Sequence, residues 1–552
     1  MRQIFTTLVC SLFLLPSVWA QWNMNPAINT SICVTTGKQN DVRMMEDGKG
    51  GAYIVWRDYR PANLNPDIYI QRIDAKGFVK WTLNGVGLCT ESADQSTPAI
   101  TTDMRGGAIV AWSDWRSSIE RDLYAQRIDS NGNIKWTIDG TNISDLSNRE
   151  HSEKIVSDGY GGVIIAFEKQ ISGVWDVWAQ RLDSSGNKMW GQGGVAVSTF
   201  SSTKRNHRIQ KDRSGGAFVS WQDNRNGAQY DVYAQRLSPT GTLLWGANAK
   251  QVCGATGDQV NAKIESDSAR NGCYIAWQDN RGGVSNSDDI YMQNLDSNGN
   301  ALWTANGIVV CNAAGNQSAL DFMSIDNSHD VIITWKDNRM GNEDIYVQRI
   351  SSSGIPVWAA NGVVVCNKPG ADVNPNICSD DAGGAIIAWQ DSTASGWDVL
   401  SQHVKSSGSM AWTPNGEMVG TAFDEQSSIK NVRDGKGGSI YAWQDKRNGL
   451  DFDIYAHHLF ASGSPNAVHD VTKDAHDFIM YPNPASHTVT IESTSLQHQD
   501  NRIVLMNSVG SVVYSATIKA NNSTQLQLDV SSFPKGLYML MVNEQSRKLV
   551  VE

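Results

Sequence analysis

The chain has 552 residues, of which 40% are hydrophobic and 19% charged, with a formal net charge of −11. That length exceeds one ordinary core, so several domains or one closed repeat array is expected. The composition excludes a disordered chain, and the acidity disfavours a nucleic-acid or anionic-membrane partner.

Residues 1–20 read as a secretory signal. Arg2 supplies the positive end, Ile4 to Leu15 an apolar stretch too short to span a bilayer, and Val18 with Ala20 the small-residue cleavage pattern. The mature chain is expected to start at Gln21. Cys10 lies inside the apolar stretch and not at a lipobox, so no lipid anchor is expected, and no later segment predicts membrane insertion. Seven cysteines follow, an odd number for an oxidising compartment. Cys89, Cys253, Cys311 and Cys366 each stand eight residues after a Trp, where other copies place Ser144, Ser198 or Gly420. A position that takes Cys, Ser or Gly is a tight packing slot, and buried free thiols are expected there. No CxxC or Cys/His cluster points to zinc, and no cofactor is expected.

From Gly51 onward the chain repeats itself. GGAYIVW, GGAIVAW, GGVIIAF, GGAFVSW, NGCYIAW, HDVIITW, GGAIIAW and GGSIYAW end on Trp56, Trp112, Phe167, Trp221, Trp277, Trp335, Trp389 and Trp443, 54 to 58 residues apart. That period suits a four-stranded blade. Each copy divides into a short first strand, an Asp/Gly turn, the β-branched run ending on the aromatic, a third strand such as DLYAQRID, and a fourth beginning at a Trp. The eighth copy stops after AHHLFASG, while the mature N-terminus offers Trp22 and Cys33 as a spare fourth strand. An N-terminal strand that completes the last blade leaves no free sheet edge. The prediction is an all-β chain with an eight-bladed β-propeller over 21–465, closed by the N-terminal strand. The repeat resembles the tandem DIYAQR/WQDNR repeats of exported bacterial proteins, which carry no assigned activity.

Residues 466–478 form a polar linker. Beyond it come Tyr481-Pro482-Asn483-Pro484, a turn at Asn507–Gly510, Gly536-Leu537-Tyr538 and a closing Lys548-Leu549-Val550. This segment, 479–552, resembles the type A sorting domain of the type IX secretion system of Bacteroidota. The resemblance implies a small immunoglobulin-like β-sandwich, the outer-membrane secretion machinery as partner, and a destination outside the cell or on its surface after the domain is removed.

Six copies carry a WxDxR pattern, including Asp58/Arg60, Asp114/Arg116 and Asp445/Arg447; a residue needed once for catalysis is not normally repeated six times, so a structural role is expected. Lys169 and Thr393 interrupt the pattern in blades three and seven. The turn Asp129 to Trp136 resembles the Asp-box of sialidase-type propellers, but its Asp-to-Gly spacing is one residue longer and the preceding Ser is missing. His457-His458 replaces Gln-Arg in the eighth third strand and reads as a repeat variant rather than a metal pair. No HExxH, GxSxG, P-loop or EF-hand appears, and no catalytic residue is assigned.

Tyr59, Trp115, Trp175, Tyr230 and Trp397 fall in the loops between second and third strands. Exposed there, they would stack on sugar rings or anchor a partner; ordinary loop packing is the alternative. With Arg116 they are the candidate ligand residues. The expected function is that of a monomeric, non-catalytic binding or adhesion protein of the cell exterior, directed at a glycan or a surface protein. A polysaccharide hydrolase or lyase and a scaffold of the cell surface or motility apparatus are the alternatives.

Overall fold

The computed structural model describes residues 22–23, 25–60, 65–117, 120–144, 148–267, 270–283, 287–324, 328–394, 396–463, 478–493, 496, 500–507, 512–519, 523–543 and 545–552. The signal segment, nearly all of the linker and most of the Asn507–Gly510 turn lie outside them. The chain separates into two compact units, Met1–Ala467 and Val468–Glu552.

The first unit is all-β and propeller-like. Its described strands form eight antiparallel four-stranded sheets. The first sheet runs Gln39–Glu46, Ala52–Asp58, Asp67–Ile73, Val86–Cys89, paired in chain order. The next six repeat that order, with first strands Gln95–Thr102, Glu150–Ser157, Lys204–Lys211, Gln259–Asp267, Gln317–Ser324 and Asp372–Ser379. The eighth takes Gln426–Arg433, Ser439–Asp445 and Asp453–Leu459 from the end of the unit and Thr30–Cys33 from its start. Thr30 pairs with Ala456 and Cys33 with Ile454. First strands of successive sheets lie side by side, and the series returns on itself where Gln426–Arg433 meets Gln39–Glu46.

The second strands are buried on both faces, which is why they read as unbroken β-branched and aromatic runs rather than as alternations. Their terminal aromatics, from Trp56 and Phe167 to Trp443, are fully buried. Two expectations are corrected. The fourth-strand Trp precedes its strand instead of opening it, because the Trp81 N–H donates to Gln71 Oε1 (3.1 Å) in the connection, and the strand starts only at Val86. The first strands are eight or nine residues long, not short, and each carries a bulge.

One joint recurs at all eight sheet boundaries. The Trp before each fourth strand lies against a glycine in the next sheet and donates its indole N–H to a carbonyl two residues earlier. Trp81 faces Gly132 and donates to Ser130 O (3.3 Å); Trp190 faces Gly241 and donates to Pro239 O (3.0 Å). Trp22 takes the same position, against Gly77 with Ala75 O at 3.2 Å, and Trp412 does so against Gly463. At Gly132, with φ of +87°, a Cβ would stand 2.9 Å from the Trp81 ring, so the turn and the joint both require glycine.

A second fastening ties the first hairpin of each sheet to its third strand. The turn Asp accepts from the third-strand Arg, as in Asp47–Arg72 (2.7 Å) and Asp212–Arg236 (2.9 Å). In the fifth sheet Asn294 takes the arginine's place and donates to Asp267 (3.1 Å), and in the seventh and eighth histidine does so, with His403 Nε2 at 2.8 Å from Asp380 and His458 Nε2 at 2.9 Å from Asp434. His457 beside it is fully buried where the other sheets carry Gln71 or its equivalent. Burial, reinforced by the neighbouring His458, lowers the His457 pKa to about 4. The unfolded chain, with an ordinary value near 6.5, takes up a proton that the folded chain refuses as pH falls from about 6.5 to about 4, so folding stability is lost across that window and the loss levels off below it. The repeat-consensus variant His457→Gln is expected to lessen this acid-side loss by about 3 kcal/mol. Melting temperatures of both proteins between those pH values check it; parallel curves would contradict it.

The described cysteines from Cys33 onward are free thiols, all buried except the half-buried Cys378. Burial pushes the Cys253 and Cys311 thiols up to about 12, so they are poor nucleophiles.

The second unit has a three-stranded sheet (Ile479–Tyr481, Thr488–Glu492, Gln525–Asp529) and a four-stranded one (Val512–Ile518, Asn501–Asn507, Gly536–Val542, Gln545–Val551). Both contribute to one core that includes Val489, Ile491, Leu505, Leu528, Leu540 and Leu549. The Tyr-Pro-Asn-Pro segment folds onto the closing strand: Asn483 Oδ1 accepts the Val550 N–H (2.8 Å), and the Ala485 N–H donates to Val550 O (2.8 Å). Tyr538 donates its hydroxyl to Pro534 O (2.7 Å), Tyr481 donates to Glu492 (3.0 Å), and Lys548 sits on the closing strand.

Candidate functional site

The WxDxR residues form clamps between sheets. Asp114 is fully buried, accepts the Trp112 indole N–H (3.0 Å) and pairs with Arg116 (2.7 Å). Arg116 also donates to Asp139 O (2.7 Å) and to Cys89 Sγ of the preceding sheet (3.1 Å), and lies 3.8 Å from the Tyr124 ring centroid. Its guanidinium is thus engaged at the junction between sheets. Arg60 makes the same set with Asp58, Asn84 O and Cys33, which places the cysteine slot of the N-terminal strand on the common pattern.

Sheets three and seven keep the clamp by exchanging its parts. In the third, Lys169 takes the aspartate's place and pairs with Glu150 (3.3 Å). In the seventh, Lys368 pairs with Asp391 (2.6 Å) while the Trp389 indole donates to Asp372 (2.8 Å). Freed of the usual loop, these two sheets extend their second and third strands, Val163–Ile171 with Val174–Leu182 and Ala385–Thr393 with Gly396–Val404.

That extension corrects the placement of two aromatics. Trp175 and Trp397 lie on strands, paired with Gln170 and Ser392, rather than in loops. All five candidate rings are half-buried. Three of them are strung together along sheets one to four, each faced by guanidinium. Arg57 lies 4.9 Å from the Tyr59 centroid and pairs with Asp94 (2.8 Å), whose carbonyl accepts the Trp115 N–H (3.0 Å). Arg121 lies 5.0 Å from the Trp115 centroid. Trp175 has Arg205 at 4.4 Å, Arg149 at 5.8 Å and the His151 ring at 4.3 Å. Burial lowers the pKa of Arg121, the nearby Arg149 lowers it further, and burial takes His151 down to about 4, so His151 is neutral at pH 7. Tyr230 and Trp397 stand outside this run; the Tyr230 N–H is held by Asp258 (2.8 Å).

The Asp129 turn is a capped hairpin, its carboxylate accepting from the backbone N–H groups of Asn131 and Asn133 (2.9 and 3.0 Å). Among the described residues no group of three or more His, Cys, Asp or Glu is placed to hold a metal ion. Sequence reasoning missed the charges on the first strands, although a signal existed: they stand 13 or 14 residues before six of the eight repeat aromatics, as Arg43 does before Trp56 and Lys263 before Trp277.

Residues 479–552 match the family model of the secretion system C-terminal sorting domain. The chain therefore carries an export address and is a secreted protein. No curated protein matches the chain. Among solved structures it is similar to a protein of unknown function from Dyadobacter fermentans, at 10% identity and a TM-score of 0.36 over 57% of this chain and 95% of that one. It is also similar to an ulvan lyase of a new polysaccharide lyase family, at 10% identity and a TM-score of 0.40 over 82% and 97%. An endo-arabinase from Bacteroides thetaiotaomicron matches at 12% identity and a TM-score of 0.27 over 48% and 96%. At these scores the likenesses are distant.

Proposed function

We propose that the first unit is an eight-bladed β-propeller closed by its N-terminal strand, exported through the type IX machinery, and that it works as a non-catalytic glycan-binding protein at the cell exterior. The observation that carries the binding reading is the run of Tyr59, Trp115 and Trp175, each beside a guanidinium. An aromatic face takes the apolar side of a sugar ring, and an arginine fork beside it takes hydroxyl or carboxylate oxygens. Ligand is expected off-centre, over blades one to three.

The double variant Trp115→Ala/Trp175→Ala is expected to weaken glycan binding by about 1–3 kcal/mol, taking base–aromatic stacking as the analogue. Because the rings are half-buried against arginine, a stability cost on the order of 1–2 kcal/mol accompanies it. A glycan array on the parent, with a release assay on the same polysaccharides, identifies the ligand. Full affinity in the double variant removes the rim from consideration, and release of products moves the protein to the hydrolase or lyase reading.

The two units are separate cores, so removing 479–552 is expected to leave a folded propeller in the periplasm. Fractionation with the intact protein as reference checks this; normal extracellular levels of the truncated chain would contradict it.

A further inference from the structure

The bulges in the first strands fall at one register. In all eight, a residue in the left-handed region interrupts pairing: Asp41, Thr97, Ser152, Asn206, and likewise Asn261, Ala319, Asn374, Ser428, with φ between 50° and 63°. Thr, Ser and Ala are uncommon in that conformation, and strain repeated without exception marks a position whose side chains are being aimed. The residue two further on is Arg43, Lys154, Arg208, Lys263 or Lys430 in five sheets, and Ala99, Asp321 or Asn376 in the other three.

These residues converge. A cavity of about 890 Å³ is lined by Arg43, Lys154, Arg208, Lys263, Asp321 and Lys430, together with Asn376. A second cavity, of about 400 Å³, adjoins Arg43, Lys154, Arg208 and Lys430 on the side of Ala99, Arg121 and His151. Lys263 is neutralised by Asp321 (3.2 Å). Among the described residues the other four cations have no carboxylate partner. Arg43 donates to Val42 O (2.8 Å), Arg208 to His207 O (2.8 Å), Lys430 to Ile429 O (2.9 Å) and Lys154 to Glu153 O and Ser152 O (3.0 and 3.3 Å), all of them nearby backbone carbonyls. Four such cations around one cavity repel one another; Glu153, Glu168 and Asp321 offset them only from beyond ion-pair distance, and an entering anion would relieve the repulsion that is left.

We propose that this central channel is a binding site for a multivalent oxyanion ligand, a carboxylate- or sulfate-bearing acidic saccharide or free polycarboxylate, held by Arg43, Lys154, Arg208 and Lys430. The proposal does not rest on the aromatic rim: it stands or falls on the channel cations alone. Burial lowers Lys154 and Lys430 to about 8. Glu153 and Glu168 face Lys154, which Arg43 and Arg208 oppose; Asp321 faces Lys430, which Arg43 and Lys263 oppose. Both lysines are charged at pH 7 and lose the proton as pH rises through about 8, so anion affinity falls on the alkaline side.

The test is titration calorimetry of the full mature chain with citrate, sulfate and a uronic-acid oligomer, and with a neutral oligosaccharide as reference. Saturable binding of the anions and not of the neutral sugar is expected, declining from pH 7 to pH 9, where the charges of sulfate and the uronate are constant. A uronate oligomer that binds more tightly than citrate identifies the saccharide as the source; the reverse order identifies the free polycarboxylate. Lys154→Met/Lys430→Met is expected to weaken citrate binding at least about tenfold, since hydrogen bonds to charged groups are among the stronger ones. Its melting temperature should be unchanged or raised, because like charges are removed. Exposed Lys405→Met/Lys436→Met should bind as the parent does. Absence of saturable citrate binding by the parent, or parental affinity in the channel variant, overturns the proposal; the pH series on the parent keeps it testable should the channel variant not fold. Rim variants that lose a neutral glycan yet retain citrate separate this site from the rim.

Discussion

A chain lacking residues 21–34 is expected to melt at a markedly lower temperature and to self-associate. The deletion removes the strand that pairs Thr30 and Cys33 with Ala456 and Ile454, and so bares the third strand of the eighth sheet. It also removes the buried Trp22, which fills the joint at Gly77, and Ile32 and Cys33 from the same core. Arg447 loses the carbonyls of Ala27 and Ile28 (3.1 and 2.6 Å) and Asn29 Oδ1 (2.8 Å) in the same step. Trp22→Ala alone should cost about 3–5 kcal/mol, the usual range for emptying a buried Trp site, and the deletion more. An exposed strand then templates pairing with another chain. Thermal melts and size-exclusion chromatography read both effects. A monomer with the parent's melting temperature would show that the N-terminal segment closes nothing.

The place of Thr30–Cys33 in the eighth sheet was legible because the repeat is written in residues that the joints need chemically. Trp22 and Cys33 match the fourth-strand Trp and the cysteine slot, and both serve fixed partners, a glycine turn in one case and an arginine clamp in the other. The aspartates and arginines of WxDxR were legible as structure for the same reason. What misled was loop placement. Trp175 and Trp397 looked like loop tips because sheets three and seven, where the clamp takes other partners (Lys169 with Glu150, Lys368 with Asp391), also extend their second and third strands, and no local propensity records that.

The channel cations were illegible for a different reason. Their side chains line open cavities rather than a packed partner, so no residue type is imposed and Arg, Lys, Asp, Asn and Ala all occur at the position. Only the bulge, a backbone feature set by eight left-handed residues of five types, fixes the register. A pattern search keyed on residue identity passes over such a ring; alignment on the buried aromatics finds it.

Lys169→Ala is expected to cost about 3–5 kcal/mol, the range for breaking a buried ion pair by removing one partner. Lys169 and Glu150 are directly paired across the first hairpin of the third sheet, both almost wholly buried, with Nζ and Oε1 3.3 Å apart. The Ser144 hydroxyl, in the slot that holds cysteine elsewhere, donates to Glu150, and Lys169 lies 5.0 Å from the Trp178 ring centroid. Removing the lysine leaves a buried carboxylate that has lost its cation, and truncation to Ala opens a void as well. If the charge is the larger part, Glu150→Gln/Lys169→Met should recover most of the stability, since replacing a buried pair by uncharged groups of similar volume is often neutral. The coupling between the two sites, measured by urea denaturation of both single variants and the double, should therefore be at least about 1–2 kcal/mol in favour of the double. Additive losses would mean that the lysine acts through packing alone, and that the third sheet does not reproduce the clamp of its neighbours with exchanged charges.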